Sequence, residues 1–198
     1  QVAQILLTHE DPGHRHRYLN ARNTLHILLE NGVIPVVNEN DTVAVEEIKF
    51  GDNDILSAFV ADLVKAELLL ILTDIEGFFT ADPRKTSGAS LIPLVEKVTS
   101  EMESMAERSS TRLGTGGMQT KLEAVRKAAL SGIPTVITDG REKEVIKRVL
   151  KGEELGTLFM PGAVKLKGKK PWIAHHLRPK GYIIIDDGAR KALMDNGK

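Results

Sequence analysis

Apolar positions along the chain recur in two alternating ways. Ala21, Leu25, Leu28 and Leu29 share one face over residues 19–30, and Gly32 supplies a stop, so this stretch predicts a helix. Residues 33–37, Val-Ile-Pro-Val-Val, are an unbroken apolar run of strand length with Pro35 near its start. Asp52 or Asn53 is placed to cap a second helix reaching Val64, with Ile55, Phe59 and Leu63 inward. Residues 68–72 form another continuous apolar run, the signature of a strand buried on both faces of a parallel sheet. A third helix is predicted over 118–131, with Leu122, Val125 and Ala129 aligned and Gly132 ending it. A strand follows over 134–138, then a turn at Asp139-Gly140 and a helix over 145–150.

Helix and strand thus alternate through short connections, which predicts an α/β fold with a largely parallel sheet and helices on both faces. Ligands of such sheets gather beyond the carboxyl ends of the strands, where the polar segments after Val37 and Leu72 fall. The character changes after about Gly156. Residues 165–170 are a basic, polar run that reads as a linker or exposed edge. Trp172-Ile173 and residues 182–186 read as strands of another unit, Asp187-Gly188 as a turn, and 189–194 as a short helix. The boundary is expected near residue 163, giving one unit over 1–163 and a second over 164–198. About thirty residues cannot bury a core alone, so the second unit is incomplete or leans on the first.

Composition narrows this picture. The hydrophobic share of 41% and charged share of 27% are ordinary for a globular chain and argue against disorder. The absence of cysteine excludes a disulfide framework and thiolate metal sites, and fits a reducing, cytoplasmic compartment. No apolar run approaches the ~18 residues of a membrane span, and the first residues lack the pattern of a signal peptide. The 27 Lys and Arg balance the 27 Asp and Glu, which disfavours nucleic-acid binding by the chain as a whole, though not by a local patch.

Three segments carry candidate chemistry. Gly114-Thr115-Gly116-Gly117-Met118-Gln119-Thr120-Lys121 enters a helix. Glycines allow close backbone approach to an anion, and a helix start offers unpaired N–H groups and a positive dipole end. Lys121 lies one turn inside, and helical side chains lean toward the N-terminus, so its ammonium could reach a held phosphate. The spacing is not that of a Walker A loop, and a flexible loop with a surface lysine stands as the alternative. The second feature is a pair of acid-amide clusters, Asn38-Glu39-Asn40-Asp41 and Gly51-Asp52-Asn53-Asp54. They could hold an ammonium group or organise Mg²⁺ and its waters, or serve as turn and cap residues. The third is Thr73-Asp74 after the long apolar run, suited to a ribose or base, or to a capped turn. His9, His14, His16, His175 and His176 lack the spacing of a metal site and read as solvated. No protein metal ligand is therefore assigned.

Taken together, PVVNENDTVA (35–44), FGDNDILSA (50–58), LLILTDIEGFFTADPR (69–84), GTGGMQTKLEA (114–124) and GTLF (156–159) resemble the amino acid kinase family, and within it the glutamate 5-kinases. The motifs stand in the family's order across almost the whole chain. The resemblance implies a three-layer α/β sandwich around a mostly parallel sheet, followed by the beginning of a small β-rich PUA-like domain. It implies phosphorylation of L-glutamate by ATP with Mg²⁺, the opening step of proline biosynthesis. Asp41, Asn53 and Asn38 would bind glutamate. Asp54 would organise the transfer site, and Lys121 would face the phosphates. ATP would be bound by Thr73, Asp74, Thr115, Gly116, Gly117, Met118, Gln119, Thr120 and Lys121. It further implies a homo-oligomer, proline as feedback inhibitor, and a PUA unit able to bind RNA. The family's first strand, with its glycine-rich loop and second phosphate-facing lysine, has no counterpart here, and Gln1 stands where a Met would begin a chain. An internal fragment is therefore expected, inactive and poorly folded alone because sheet strands would lack partners. The competing readings are an aspartate, acetylglutamate or uridylate kinase of the same family, and an RNA-binding protein built on a PUA domain.

Overall fold

The structure, a computed structural model, describes residues 1–8, 11, 13–43, 53–109, 117–162 and 184–196. Strand β1 (Val2–Leu7) runs parallel to β2 (Ile34–Glu39), with Val2 opposite Ile34 and Leu7 opposite Glu39. Helix α1 (Arg15–Glu30) makes the crossover between them and packs on β2. Helix α2 (Asn53–Val64) follows, then β3 (Leu69–Thr73), β4 (Leu94–Val95), α3 (Ser100–Ser109), α4 (Met118–Leu130), β5 (Thr135–Asp139), α5 (Val145–Leu150), β6 (Thr157–Phe159) and α6 (Asp187–Asn196). The second sheet has the order β3-β5-β6-β4; β3 and β5 are parallel, β4 and β6 are parallel, and β5 and β6 are antiparallel. The α/β class and the mostly parallel pairing follow the expectation.

Where one central sheet was expected, the described strands fall into two, and α2 links them. It packs against α1 and β2 on one side and against α4 and β3 on the other. Its sequence allows this because it is apolar on two faces. Leu56, Phe59 and Leu63 join Leu7, Tyr18 and Leu25 in one core. Ala58 and Ala61 join Leu69, Ile71, Leu122, Val125, Ile137 and Phe159 in the other. A helix apolar nearly all round belongs in an interior.

One charged residue sits on that helix at full burial. Asp62 is 1% exposed and accepts hydrogen bonds from the Tyr18 hydroxyl of α1 (3.0 Å), the Ser131 hydroxyl at the end of α4 (2.7 Å) and the Lys65 ammonium (2.8 Å). Burial pushes its carboxyl up, but the hydrogen bonds from Lys65, Ser131 and Tyr18 together outweigh it and hold the group below its ordinary value. Burial first, and the Asp62 charge second, raise the Tyr18 phenol to about 12.

The long loop from β3 to β4 is fastened to β6 through Thr157, whose hydroxyl accepts from the Phe78 N–H (2.8 Å) and lies 2.7 Å from the Ile92 carbonyl. The preceding Gly156 has φ +75°, and a Cβ there would lie 2.1 Å from the Ile137 carbonyl oxygen, so only glycine lets β6 approach β5 this closely.

Several expectations shift. The strand predicted over 68–72 is β3, but it lies at a sheet edge and Leu72 is 44% exposed. The strand buried on both faces is β5, whose first four residues are all buried between β3 and β6. Helix α1 begins four residues before the predicted start, and Leu29 is exposed while Tyr18 is buried in its place. Strand β2 extends through Asn38 and Glu39, because backbone pairing with β1 continues after the apolar run ends. Ile184, Ile185 and Asp186, expected in a strand, are irregular. The expected turn at Asp187-Gly188 is instead the first turn of α6, where the Asp186 side chain accepts from the Ala189 N–H at 2.7 Å. Trp172, Ile173, Tyr182, Ile183 and the basic run 165–170 lie outside the described residues.

Candidate functional site

Two helix starts carry the candidate transfer site. Asp54 occupies the first turn of α2, where a carboxylate suits the helix dipole. Helix α4 starts at Met118 after Gly117, which takes an extended cap conformation with no side-chain cap bond. Lys121, in the first turn of α4, reaches Asp54: its ammonium lies 2.8 Å from Asp54 Oδ2, and the two side chains are only 11% and 12% exposed. The Thr120 hydroxyl lies 2.8 Å from the Gly117 carbonyl and 3.2 Å from the same Asp54 oxygen, sharing its single proton between two acceptors. The Ser57 hydroxyl donates to the Asp54 carbonyl at 2.6 Å, which stiffens the start of α2. A largely desolvated ion pair is costly unless further hydrogen bonds complete it, and Thr120 provides one.

A second polar cluster forms where β3 and β5 end. Register places Thr73 opposite Asp139, and the Gly140 N–H donates to the Thr73 carbonyl at 2.8 Å. The Thr73 hydroxyl lies 3.2 Å from Asp74 Oδ1. Arg141 binds the Asp139 carboxylate through Nε (2.9 Å) and Nη2 (2.6 Å), and Nη2 also donates to the Asp74 carbonyl at 2.7 Å. The side-chain and backbone hydrogen bonds from Arg141 hold the Asp139 carboxyl below its usual range.

The remaining predicted residues are placed as follows. Asn38 is exposed near the carboxyl end of β2. Asp41 is exposed in the turn 40–43, which is fixed to β1 by the Asn40 N–H bonding the Leu7 carbonyl at 2.7 Å. Asn53 is the exposed first residue of α2 and Gln119 is exposed on α4, whereas Met118 packs on the core. Thr115 and Gly116, with Gly51 and Asp52, lie outside the described residues. The described contacts therefore unite Asp54, Thr120 and Lys121 from two motifs 66 and 67 residues apart. Sequence reasoning missed Arg141 and Asp62. Asp139-Gly140-Arg141 at a strand end was the available signal for the first; the second lay hidden inside an apolar stripe.

Among the described residues no three His, Cys, Asp or Glu side chains converge as a metal site, and no helix is long and apolar enough to cross a membrane. Mg²⁺ makes modest demands on protein, usually binding phosphate oxygens and water with one or two carboxylates. Asp54 beside Lys121 is a carboxylate that fits such a role.

Both clusters lie at helix starts and strand ends, where open α/β sheets gather their ligands. Residues 1–139 match the amino acid kinase family, and the chain belongs to it. The chain is 56% identical over 198 residues to the glutamate 5-kinase of Geobacter sulfurreducens, covering all of this chain and 53% of that protein. It is 50% identical over the same length to the glutamate 5-kinase of Paraburkholderia xenovorans, again covering 53% of it. The chain thus spans about half the length of the curated relatives it matches. A solved UMP kinase from Bacillus anthracis shares the fold at a TM-score of 0.50 and 21% identity, over 74% of this chain and 52% of that one. An isopentenyl phosphate kinase does so at 0.50 and 23%, over 69% and 50%.

Proposed function

We propose that the protein transfers the γ-phosphoryl group of ATP to the γ-carboxylate of L-glutamate, giving γ-glutamyl phosphate and ADP. The observation that carries this reading is the Lys121–Asp54 pair, built from two of the motifs on which the resemblance to the glutamate 5-kinases rests. The nucleophile is a carboxylate, ionised at neutral pH, so no general base is required. The obstacle is bringing one anion against another in line. Catalysis then consists of positioning and charge neutralisation. Lys121 supplies a fixed positive charge beside the N–H groups that open α4, and Asp54 holds that ammonium in one direction. Asp54 is the residue that would help hold Mg²⁺, and the metal would supply further neutralisation of phosphate charge.

Thr73 and Asp74 at the end of β3, with residues 115–121, form the ATP side of the proposal. Asn38, Asp41 and Asn53 form the glutamate side, where an acid and two amides suit an amino acid's ammonium and carboxylate. In the protein expressed from the complete reading frame, Asp41→Ala is expected to raise glutamate KM about 10-fold and change kcat less than about twofold, the pattern of a lost binding contact. Steady-state kinetics at saturating ATP check this, and an unchanged KM removes Asp41 from the substrate site.

A homo-oligomer, proline feedback and a PUA unit that binds RNA join the proposal on the resemblance alone, a cytoplasmic location also on the absence of cysteine, and a unit boundary near 163 also on the change of character after Gly156. The rival kinases are separated from it by offering the protein glutamate, aspartate, acetylglutamate and UMP. A salt-dependent RNA affinity in the range of specific binders, without kinase activity, would favour the RNA-binding reading.

A further inference from the structure

We propose that Arg141 is a positioning residue for nucleotide binding: its guanidinium clasps the carboxyl ends of β3 and β5 together and holds the Asp74 main chain in its binding geometry. The inference rests on the reading of Thr73 and Asp74 as part of the ATP side, and it adds a residue that reading does not contain.

The geometry has three parts. Parallel pairing places Thr73 opposite Asp139, so the two strands deliver their last residues side by side. Beyond those ends each chain enters a turn, and the Gly140 N–H to Thr73 carbonyl bond of 2.8 Å is the last rung of the ladder. Arg141 supplies the next tie. It grips Asp139 with Nε and Nη2 and passes Nη2 on to the Asp74 carbonyl at 2.7 Å. The Arg141 N–H also donates to Asp139 Oδ1 at 2.9 Å, so the carboxylate is held at both its side-chain and backbone partners. A guanidinium is suited to this because its donors are fixed in one plane.

Magnitude separates a positioning role from a stabilising one. The Arg141 side chain is 72% exposed, and exposed ion pairs contribute little to folding. What the clasp fixes is one carbonyl in the turn at 74–77, beside the Asp74 side chain. A ligand that needs this turn in one conformation binds in proportion to the fraction of time it is so held.

The test uses the protein from the complete reading frame, with ATP KM, glutamate KM, kcat, calorimetric binding of a non-hydrolysable ATP analogue, and Tm measured for the parent, Arg141→Gln, Arg141→Lys, Asp139→Asn and the Arg141→Gln/Asp139→Asn pair. Arg141→Gln is expected to raise ATP KM and analogue Kd about 10-fold, with glutamate KM unmoved and Tm nearly constant. Asp139→Asn moves the same values in the same direction, and the pair adds little beyond the larger single effect, because the two residues act as one unit. Arg141→Lys fails to restore affinity, since an ammonium cannot span both acceptors as a fork does. Unchanged ATP KM in Arg141→Gln, full rescue by lysine, or a fall in Tm without a change in ATP affinity overturns the clasp. A parent protein that binds no ATP analogue overturns the kinase reading itself; a parent that binds it while the variants match it overturns the clasp alone.

Discussion

Lys121→Ala, in the protein expressed from the complete reading frame, is expected to lower kcat about a thousandfold while glutamate KM moves less than about threefold. Two effects act in the same direction. The substitution removes the fixed positive charge beside the helix start where phosphate charge would gather. It also leaves the Asp54 carboxylate, 12% exposed, without the ammonium that now lies 2.8 Å away. An anion at low exposure that has lost its nearest positive charge then opposes the entry of two more anions, and water screens it poorly. Of the proposed glutamate residues, Asn38 and Asp41 belong to β2 and the turn after it, and Asn53 opens α2 with an exposed side chain, while the substitution falls on α4, so glutamate KM is expected to change little. Initial rates at saturating ATP and glutamate check this, and a kcat equal to the parent's removes Lys121 from the transfer step.

Asp62→Ala is expected to cost about 4 kcal/mol of folding stability, roughly 2 kcal/mol for each of two buried hydrogen bonds to a charged group. The loss falls on Tyr18 and Ser131, whose buried hydroxyls would each lose the hydrogen bond to Asp62, while the half-exposed Lys65 can turn to water. It would be felt across the molecule, since those hydroxyls come from α1 and from the end of α4, and Asp62 itself from α2. Urea unfolding at neutral pH measures it, and a change below about 1 kcal/mol would show that the network is dispensable. Its pH dependence has a definite sign. The folded Asp62 carboxyl is held below its ordinary value, so its contribution is present above the unfolded value and disappears as pH falls through the folded one. Tyr18 acts at the other end. Its folded value near 12 lies above the ordinary phenol value of 10.0, so its contribution is complete below pH 10 and is lost as pH rises toward 12. The parent's stability should therefore fall at both extremes, and Asp62→Ala should flatten the acid limb.

The sequence made the helices of the site legible because their apolar periodicity is strong. Leu122 and Val125 on α4, and Phe59 and Leu63 on α2, are buried as their spacing predicts. Lys121 and Asp54 could each be singled out by position, one after a glycine-rich loop and one at a helix start. Their pairing could not, because it depends on α2 and α4 packing together across more than sixty residues of chain. Strand β1 was illegible for a related reason: only Leu7 of its six residues is fully buried, and pairing with β2 defines it. Strands β4 and β6 are two and three residues long, too short to show any period. Asp62 looked like an interruption in an apolar stripe, since partners 44 and 69 residues away give it its meaning. Arg141 likewise became readable only once β3 and β5 were known to be neighbours.

An acyl phosphate reacts with hydroxylamine to give a hydroxamate, so the reaction can be read at its product. The most direct measurement incubates the protein with ATP, Mg²⁺, hydroxylamine and, separately, L-glutamate, aspartate, acetylglutamate or UMP, scoring hydroxamate and ADP together. The account predicts γ-glutamyl hydroxamate and stoichiometric ADP with L-glutamate, and neither product above background in the Lys121→Ala protein. ADP release with UMP or another acceptor in preference to glutamate, or glutamyl hydroxamate made equally well without Lys121, would contradict it.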